Sequence, residues 1–306
     1  MISNSRVFQR FVVLLLAAAA LCAQSLQLAV IGDAGTGEEG QRAVCRQMER
    51  YAQTRRWEFI LALGDNIYEN GEEKYFVRKF KDVYQPLTSR GIRFHSTLGN
   101  HDRRYRDGMA QVADDAFGYI GRQDEYVLEA GPQAAGRRLA RFLCINSGAW
   151  LDSLSGKRIQ PSVEERKERL AGWLDASDRY HWNILFLHEP LYSYVEPPFL
   201  FFRRGHGGSV ALRTALEPLI KGRIDLVLAG HDHFYQKIRP QQGIHHVVSG
   251  AGGKLRKGAK TEHPDVEKTV VQRHFLSVEI TLEKIAYDAV AESGEIIDRR
   301  EIVKAR

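Results

Sequence analysis

Cysteine is scarce in this chain, with Cys22, Cys45 and Cys144 the three among 306 residues. Cys144 sits in the apolar strand-like run Leu139 to Ile145 and Cys45 in a helical one, so two buried thiols are at least as good a reading as a bridge, even after export to an oxidising compartment. No block gathers basic residues with aromatics: the 44 Lys and Arg are scattered against 38 Asp and Glu, and the net charge of +6 reads as solubility rather than nucleic-acid binding. Internal repeats, low-complexity tracts and a Ser- or Pro-rich linker are also missing, which leaves one globular domain. The apolar run Phe11 to Ala23 is too short to span a bilayer comfortably.

That run follows Arg6 and Arg10 and precedes Gln24-Ser25, the charged, apolar and small-residue order of a secretory signal. We therefore expect residues 1–25 to be a signal peptide, the mature protein to be secreted or periplasmic, and the formal charge to fall from +6 to +4 on loss of the two arginines. An uncleaved N-terminal anchor is the alternative.

What is present is an alternation of apolar runs and amphipathic segments. Strands are expected at Leu26–Ile31, Phe59–Leu63, Ile92–Thr97, Arg138–Ile145, Trp182–Leu187, Ile224–Ala229, Ile244–Ser249, Phe275–Thr281 and Ile285–Val290. Helical spacing marks Glu39–Arg55, Glu72–Val83 and Gly208–Ile220, and a segment after Pro161 that opens with the capping box Ser162-Val163-Glu164-Glu165. This pattern predicts a mixed α/β layered fold. Three stretches, Arg103–Gln123, Pro190–Gly208 and Gly250–Pro264, read as long surface loops of the kind that form lids and rims.

Polar residues cluster where the apolar runs stop. LQLAVI ends in Gly32-Asp33, FILAL in Gly64-Asp65-Asn66, RFHSTL in Gly99-Asn100-His101-Asp102, NILFL in His188, and DLVLA in Gly230-His231-Asp232-His233. Ligands of open α/β sheets bind beyond the carboxyl ends of the strands, so these five ends are candidates for one site. Carboxylate, amide and imidazole donors suit iron, manganese or zinc, and a carboxylate shared by two such ions makes a clamp for a phosphoryl oxygen. Spacing alone also allows two separate sites.

The ordered set GDAG, GDNIY, GNHD, LFLH and GHDH resembles the metallophosphoesterase superfamily and, within it, the purple acid phosphatases of the small, tartrate-resistant type. The likeness runs from about residue 28 to residue 253, including Ser249-Gly250-Ala251-Gly252-Gly253. It implies a four-layer α/β sandwich, two mixed β-sheets flanked by helices, over residues 26–306. Many metallophosphoesterases carry a histidine two positions after the first aspartate, where this chain has Gly35. In the family it resembles, the missing ligand is a tyrosine, here Tyr68 of GDNIY.

The resemblance thus implies that Asp33, Asp65, Tyr68 and His233 hold Fe(III) while Asp65, Asn100, His188 and His231 hold a divalent iron, zinc or manganese. A phenol titrates near 10, so binding it as phenolate requires a strongly acidic cation. It further implies a monomeric acid phosphatase acting on small phosphorylated substrates by in-line attack of hydroxide. His101 would orient the phosphoryl group or protonate the leaving oxygen, and Asp102 would orient His101. A second substrate-side histidine is expected near position 197, which is Pro197, and His206 of a longer loop is expected in its place. Two rivals are a phosphodiesterase or nucleotide pyrophosphatase with the same metals, its bases stacked on Tyr192, Tyr194, Phe199, Phe201 or Phe202, and a metal-binding surface protein without turnover.

Overall fold

In the computed structural model, which describes residues 25–197 and 205–304, LQLAVI forms β1 (Leu26–Ile31) and helix α1 (Glu39–Tyr51) leads to β2 (Trp57–Ala62). α1 buries Val44, Cys45 and Met48 at helical spacing. Beyond β2, the expected helix over Glu72–Val83 is broken into a 3₁₀ turn at Glu73–Tyr75, a π turn at Val77–Lys81 and then helix α2 (Asp82–Thr88). The wide turn has a cause in the neighbouring side chains: the Lys79 carbonyl accepts from Gln41 Nε2 at 2.9 Å, and the buried Lys79 ammonium donates to the carbonyl of Tyr68. β3 (Arg93–Ser96) completes a parallel set with β1 and β2.

A short helix α3 (Met109–Ala113) lies in the loop after β3, and the hairpin β4 (Tyr126–Ala134) and β5 (Arg137–Cys144) follows. Helices α4 (Ser147–Leu154) and α5 (Val163–Leu174) lead to β6 (Tyr180–Leu187), and α6 (Val210–Ile220) leads to β7 (Leu226–Ala229). The chain then makes β8 (Tyr235–Gln241), β9 (Ile244–Ser249) and β10 (Val266–Val270), and returns to the first sheet with β11 (His274–Ile280), β12 (Lys284–Ala291) and β13 (Ile296–Val303). The sheets are ordered β13-β12-β11-β1-β2-β3, parallel over β1-β2-β3 at one end and antiparallel over the rest, and β10-β8-β9-β7-β6-β5-β4, with a parallel centre and antiparallel flanks.

Strands apolar on both faces must be covered on both. One apolar cluster joins the two sheets and α1, with Phe59 and Phe142 edge-to-face at 5.4 Å; a second joins the outer face of the second sheet to α4, α5 and α6 through Trp150, Leu170, Leu174, Leu212 and Leu216. The expected α/β architecture of two mixed sheets flanked by helices is the one observed. Cys45 and Cys144 are separate buried thiols, which donate to the carbonyls of Val83 and Ser96. The expected signal segment, residues 1–25, lies outside the described residues apart from Ser25, and among the described residues no helix is long and apolar enough to cross a membrane.

Candidate metal centre

The carboxyl ends of β1, β2, β3, β6 and β7 meet at the seam between the sheets, and the side chains that follow them converge there. Three turns place their first side chain in the left-handed region, with φ of 55° at Asp33, 52° at Asp65 and 71° at His231. Non-glycine residues hold this conformation only where packing fixes it. The packing sets glycine backbone against the ligand side chains: a Cβ at Gly64 would lie 2.6 Å from His188 Nδ1, and one at Gly230 would lie 2.5 Å from Asp33 Oδ2.

Two groups of donor atoms result. In the first, Tyr68 Oη lies 3.1 Å from Asp33 Oδ1 and 3.2 Å from His233 Nε2, and these last two are 3.4 Å apart. In the second, Asn100 Oδ1 lies 3.1 Å from both His188 Nε2 and His231 Nδ1, which are 3.2 Å from each other. Asp65 belongs to both: its Oδ1 is 3.5 Å from His188 Nε2, and a carboxylate oxygen lies within 4.8 Å of ligand atoms of Asp33 and His233. The edge of an octahedron with bonds of about 2.1 Å is about 3 Å, so each group has the dimensions of one face of a coordination shell.

The chemistry of the donors agrees with those dimensions. His188 Nδ1 faces the Leu63 carbonyl at 2.8 Å and donates to it, which leaves Nε2 to present a lone pair toward Asn100, His231 and Asp65. One proton among these electron-rich atoms satisfies one pair, whereas a cation satisfies them all. Burial pulls the His188 pKa down, but Asp65, Asp33 and Glu189 outweigh it and raise it to about 9, the response of a site built for positive charge. Burial and the neighbouring His188, His206 and His233 push His231 well below its ordinary value. At Tyr68, burial and then Asp33 and Asp65 push the phenol well above 10, so only a strongly polarising cation would hold it as phenolate.

Gly35 and Tyr68 are linked by geometry. The Gly35 N–H donates to the Asp65 carbonyl at 3.1 Å, the Tyr68 N–H donates to the Gly35 carbonyl at 2.8 Å, and a Cβ at position 35 would sit 2.0 Å from the Asn66 carbonyl oxygen. With the 65–68 segment lying on its Cα, position 35 has no room for a histidine. The segment that closes it off delivers the phenol.

His101 donates its backbone N–H to Asp65 at 2.9 Å, and its ring lies 4.6 Å from that of Tyr68. Its Nδ1 faces the Glu69 carbonyl at 2.6 Å, so Asp102 does not orient it, contrary to the sequence expectation. The Asp102 carboxylate accepts instead from the backbone N–H groups of Asn66, Ile67 and Gly99 at 2.9–3.0 Å and from Gln111 Nε2 at 2.6 Å. It pins the loop that carries Asp65 and Tyr68. His206 does reach the centre, with its ring 4.1 Å from that of His231.

Several residues escaped the sequence reading. Asp232 accepts from His206 N, Gly207 N and Ser193 Oγ at 2.5–3.0 Å, and so anchors the His206 loop as Asp102 anchors the other. The buried Glu189 accepts from Ser147 Oγ, which in turn accepts the N–H groups of His188 and Glu189. Lys254 and Arg256 lie over the centre from the strap after β9. Tyr192 and Tyr194 do not form an open stacking platform: the Tyr192 hydroxyl donates to Glu217 and its ring meets His246, while Tyr194 donates to Asp265 at 2.6 Å and stacks on His263. Phe199, Phe201 and Phe202 lie outside the described residues.

Comparison with known proteins agrees with this geometry. Tartrate-resistant acid phosphatase type 5 of Oryctolagus cuniculus is 28% identical over 69% of this chain, a match that spans 66% of the relative, just under two thirds of its length. Purple acid phosphatase 4 of Arabidopsis thaliana is 26% identical over 88% of this chain and 82% of its own. Among solved structures, the fold is similar to purple acid phosphatase PPD1 from yellow lupin (TM-score 0.71, 16% identity, 92% of this chain and 54% of that one). It is also similar to GAP50, the anchor in the inner membrane complex of Plasmodium (TM-score 0.76, 20% identity, 92% and 90%). The calcineurin-like phosphoesterase model matches residues 26–235, through all five strand ends that build the centre, and the chain belongs to that family.

Proposed function

We propose that this protein is a binuclear-metal acid phosphatase that hydrolyses phosphate monoesters. The observation that carries this reading is the pair of donor triangles meeting at Asp65, one of which contains a buried phenol. Asp33, Asp65, Tyr68 and His233 would hold Fe(III), and Asp65, Asn100, His188 and His231 a divalent iron, zinc or manganese. Two such cations, when bound, supply positive charge to phosphoryl oxygens and acidify water.

The chain's own groups do the rest. With Nδ1 donated to Glu69, His101 keeps Nε2 for a phosphoryl or leaving oxygen. His206 accepts from Arg256 at Nε2, which puts its proton on Nδ1. Asp102 and Asp232 hold the loops of Tyr68 and His206 in place. The substrate on this reading is a small phosphorylated molecule met outside the cytoplasm by a monomer, after cleavage of the N-terminal signal.

The visible absorption spectrum of the purified protein beside Tyr68→Phe, with metal content on both, tests the centre. A broad visible band that disappears in the variant is expected from phenolate-to-iron(III) charge transfer. A colourless protein carrying two zinc or manganese ions, unchanged by the substitution, would refute the ferric assignment. A fold neighbour named as an anchor is a reminder that fold does not imply turnover; a metal-loaded protein inert toward p-nitrophenyl phosphate would favour the non-catalytic reading. Faster turnover of bis(p-nitrophenyl) phosphate than of the monoester would favour a phosphodiesterase.

A further inference from the structure

Six acidic side chains are buried among the described residues: Asp33, Asp65, Asp102, Glu125, Glu189 and Asp232. A buried carboxylate is tolerated where hydrogen bonds or cations replace the water it has lost. Asp33 and Asp65 are candidate ligands of the centre. Asp102 and Asp232 each accept two or more backbone N–H groups. Glu125 pairs with Arg166 at 2.8 Å and with Arg169 at 3.2 Å, and accepts from Trp150 Nε1 at 2.8 Å.

Glu189 is the exception. It is 6% exposed, its carboxylate accepts one hydrogen bond, from Ser147 Oγ, and among the described residues no lysine, arginine or histidine nitrogen lies within ion-pair distance of it. Ser147 Oγ accepts the N–H groups of His188 at 3.2 Å and Glu189 at 3.0 Å, which leaves its own proton for the carboxylate. The side chain is thereby tied to the start of α4 and to the strand end that carries His188. A Glu189 carboxylate oxygen lies within 4.8 Å of ligand nitrogens of both His188 and His231. Asn100, His188 and His231 present atoms 3.1–3.2 Å apart, so Glu189 stands one layer outside their triangle.

We propose that Glu189 is the charge partner of the divalent cation, a positioning residue that acts on the ion from behind the donor triangle. This rests on the binuclear reading of the centre. Asn100, His188 and His231 are neutral as ligands, so of the proposed donors to this ion only Asp65 is an anion, and it is shared with the first ion. Glu189 adds a negative charge that belongs to the second ion alone, in a buried place where charges are weakly screened. The benefit is mutual. The cation gives the carboxylate the opposite charge that no side chain supplies.

The test is Glu189→Gln, whose amide oxygen still accepts from Ser147 while the charge is gone. Zinc is titrated by calorimetry into protein carrying one equivalent of iron(III) and into metal-free protein, and urea melts at pH 7 follow the metal-free and loaded forms. In the iron-loaded protein the variant should bind zinc about 10–100-fold more weakly than the wild type, the range for residues that support metal ligands. Glu189→Asp, which keeps the charge, should bind it more tightly than Glu189→Gln. The metal-free variant should be at least as stable as the metal-free wild type, because it buries no unpaired charge, and zinc should raise its urea midpoint by less. Unchanged zinc affinity would overturn the proposal. So would a metal-free variant that is less stable than the wild type or does not fold, since the carboxylate would then serve the fold. An iron-loaded wild type that takes up no zinc would refute the binuclear centre instead; Glu189 would then stand only if the substitution weakens the single zinc bound by metal-free protein, and binding of none would refute both.

Discussion

Gly35 decides which ligand set this centre can have. A methyl group there would sit 2.0 Å from the Asn66 carbonyl oxygen, part of the backbone that a side-chain rotation cannot move. Gly35→Ala should therefore cost about 1–3 kcal/mol, the range for overpacking a filled site, and should lower metal retention, because the 65–68 segment that must shift carries Asp65 and Tyr68. Urea melts and metal analysis check both, and an unchanged midpoint would mean that the loop yields freely. Asp102 shows the converse at the same scale. It is an acid within a candidate motif, and its hydrogen bonds assign it to the loop rather than to the reaction.

At the scale of elements, the best-read feature is the start of α5. Ser162 Oγ accepts from the Glu165 N–H and the Glu165 carboxylate accepts from the Ser162 N–H, the reciprocal box expected from the tetrapeptide. Ser162→Ala should cost about 1 kcal/mol in a urea melt and leave metal content and turnover alone, since α5 packs on the outer face of the second sheet. The strands the sequence did not disclose were β4, β8, β10 and β13. Three of them, β4, β10 and β13, are sheet edges, where one side of the strand meets water and charge guards against pairing with other chains. β13 reads IIDRREIV and β4 carries Gly131-Pro132 at a bulge, so neither has the apolar run that marks a central strand.

At the scale of the whole molecule, acid has a cost stored in two buried histidines outside the candidate ligand set. Burial and His245 lower the pKa of His246 in β9 to about 3, and burial lowers His274 at the start of β11 to about 4. Unfolded histidine titrates near 6.5, so the unfolded chain takes up protons that the folded one refuses. The contribution to stability is therefore full above about pH 6.5 and is lost as the pH falls toward these folded values. Each histidine should take away about 2 kcal/mol between pH 7 and pH 5. His246→Leu, which also removes an Nε2 that has no partner among the described residues, should lose less stability over that interval by about this amount, as read by urea melts at the two pH values. Equal losses in variant and wild type would show that His246 is not held neutral.

The sequence by itself determined the central strands, the amphipathic helices, the capping box and the polar residues at each strand end, because these follow from hydrophobic period and backbone preference within a few residues. Tertiary structure alone decided that five ends separated by up to 198 positions meet at one seam, as His231 N and Asp33 Oδ2 do at 2.7 Å. It also decided that Asp102 and Asp232 serve loops, that Tyr192 and Tyr194 pack, and that Lys254 and Arg256 face the centre. The partner of a carboxylate or a cation is set by where the chain returns in space. Local sequence carries no record of that distance.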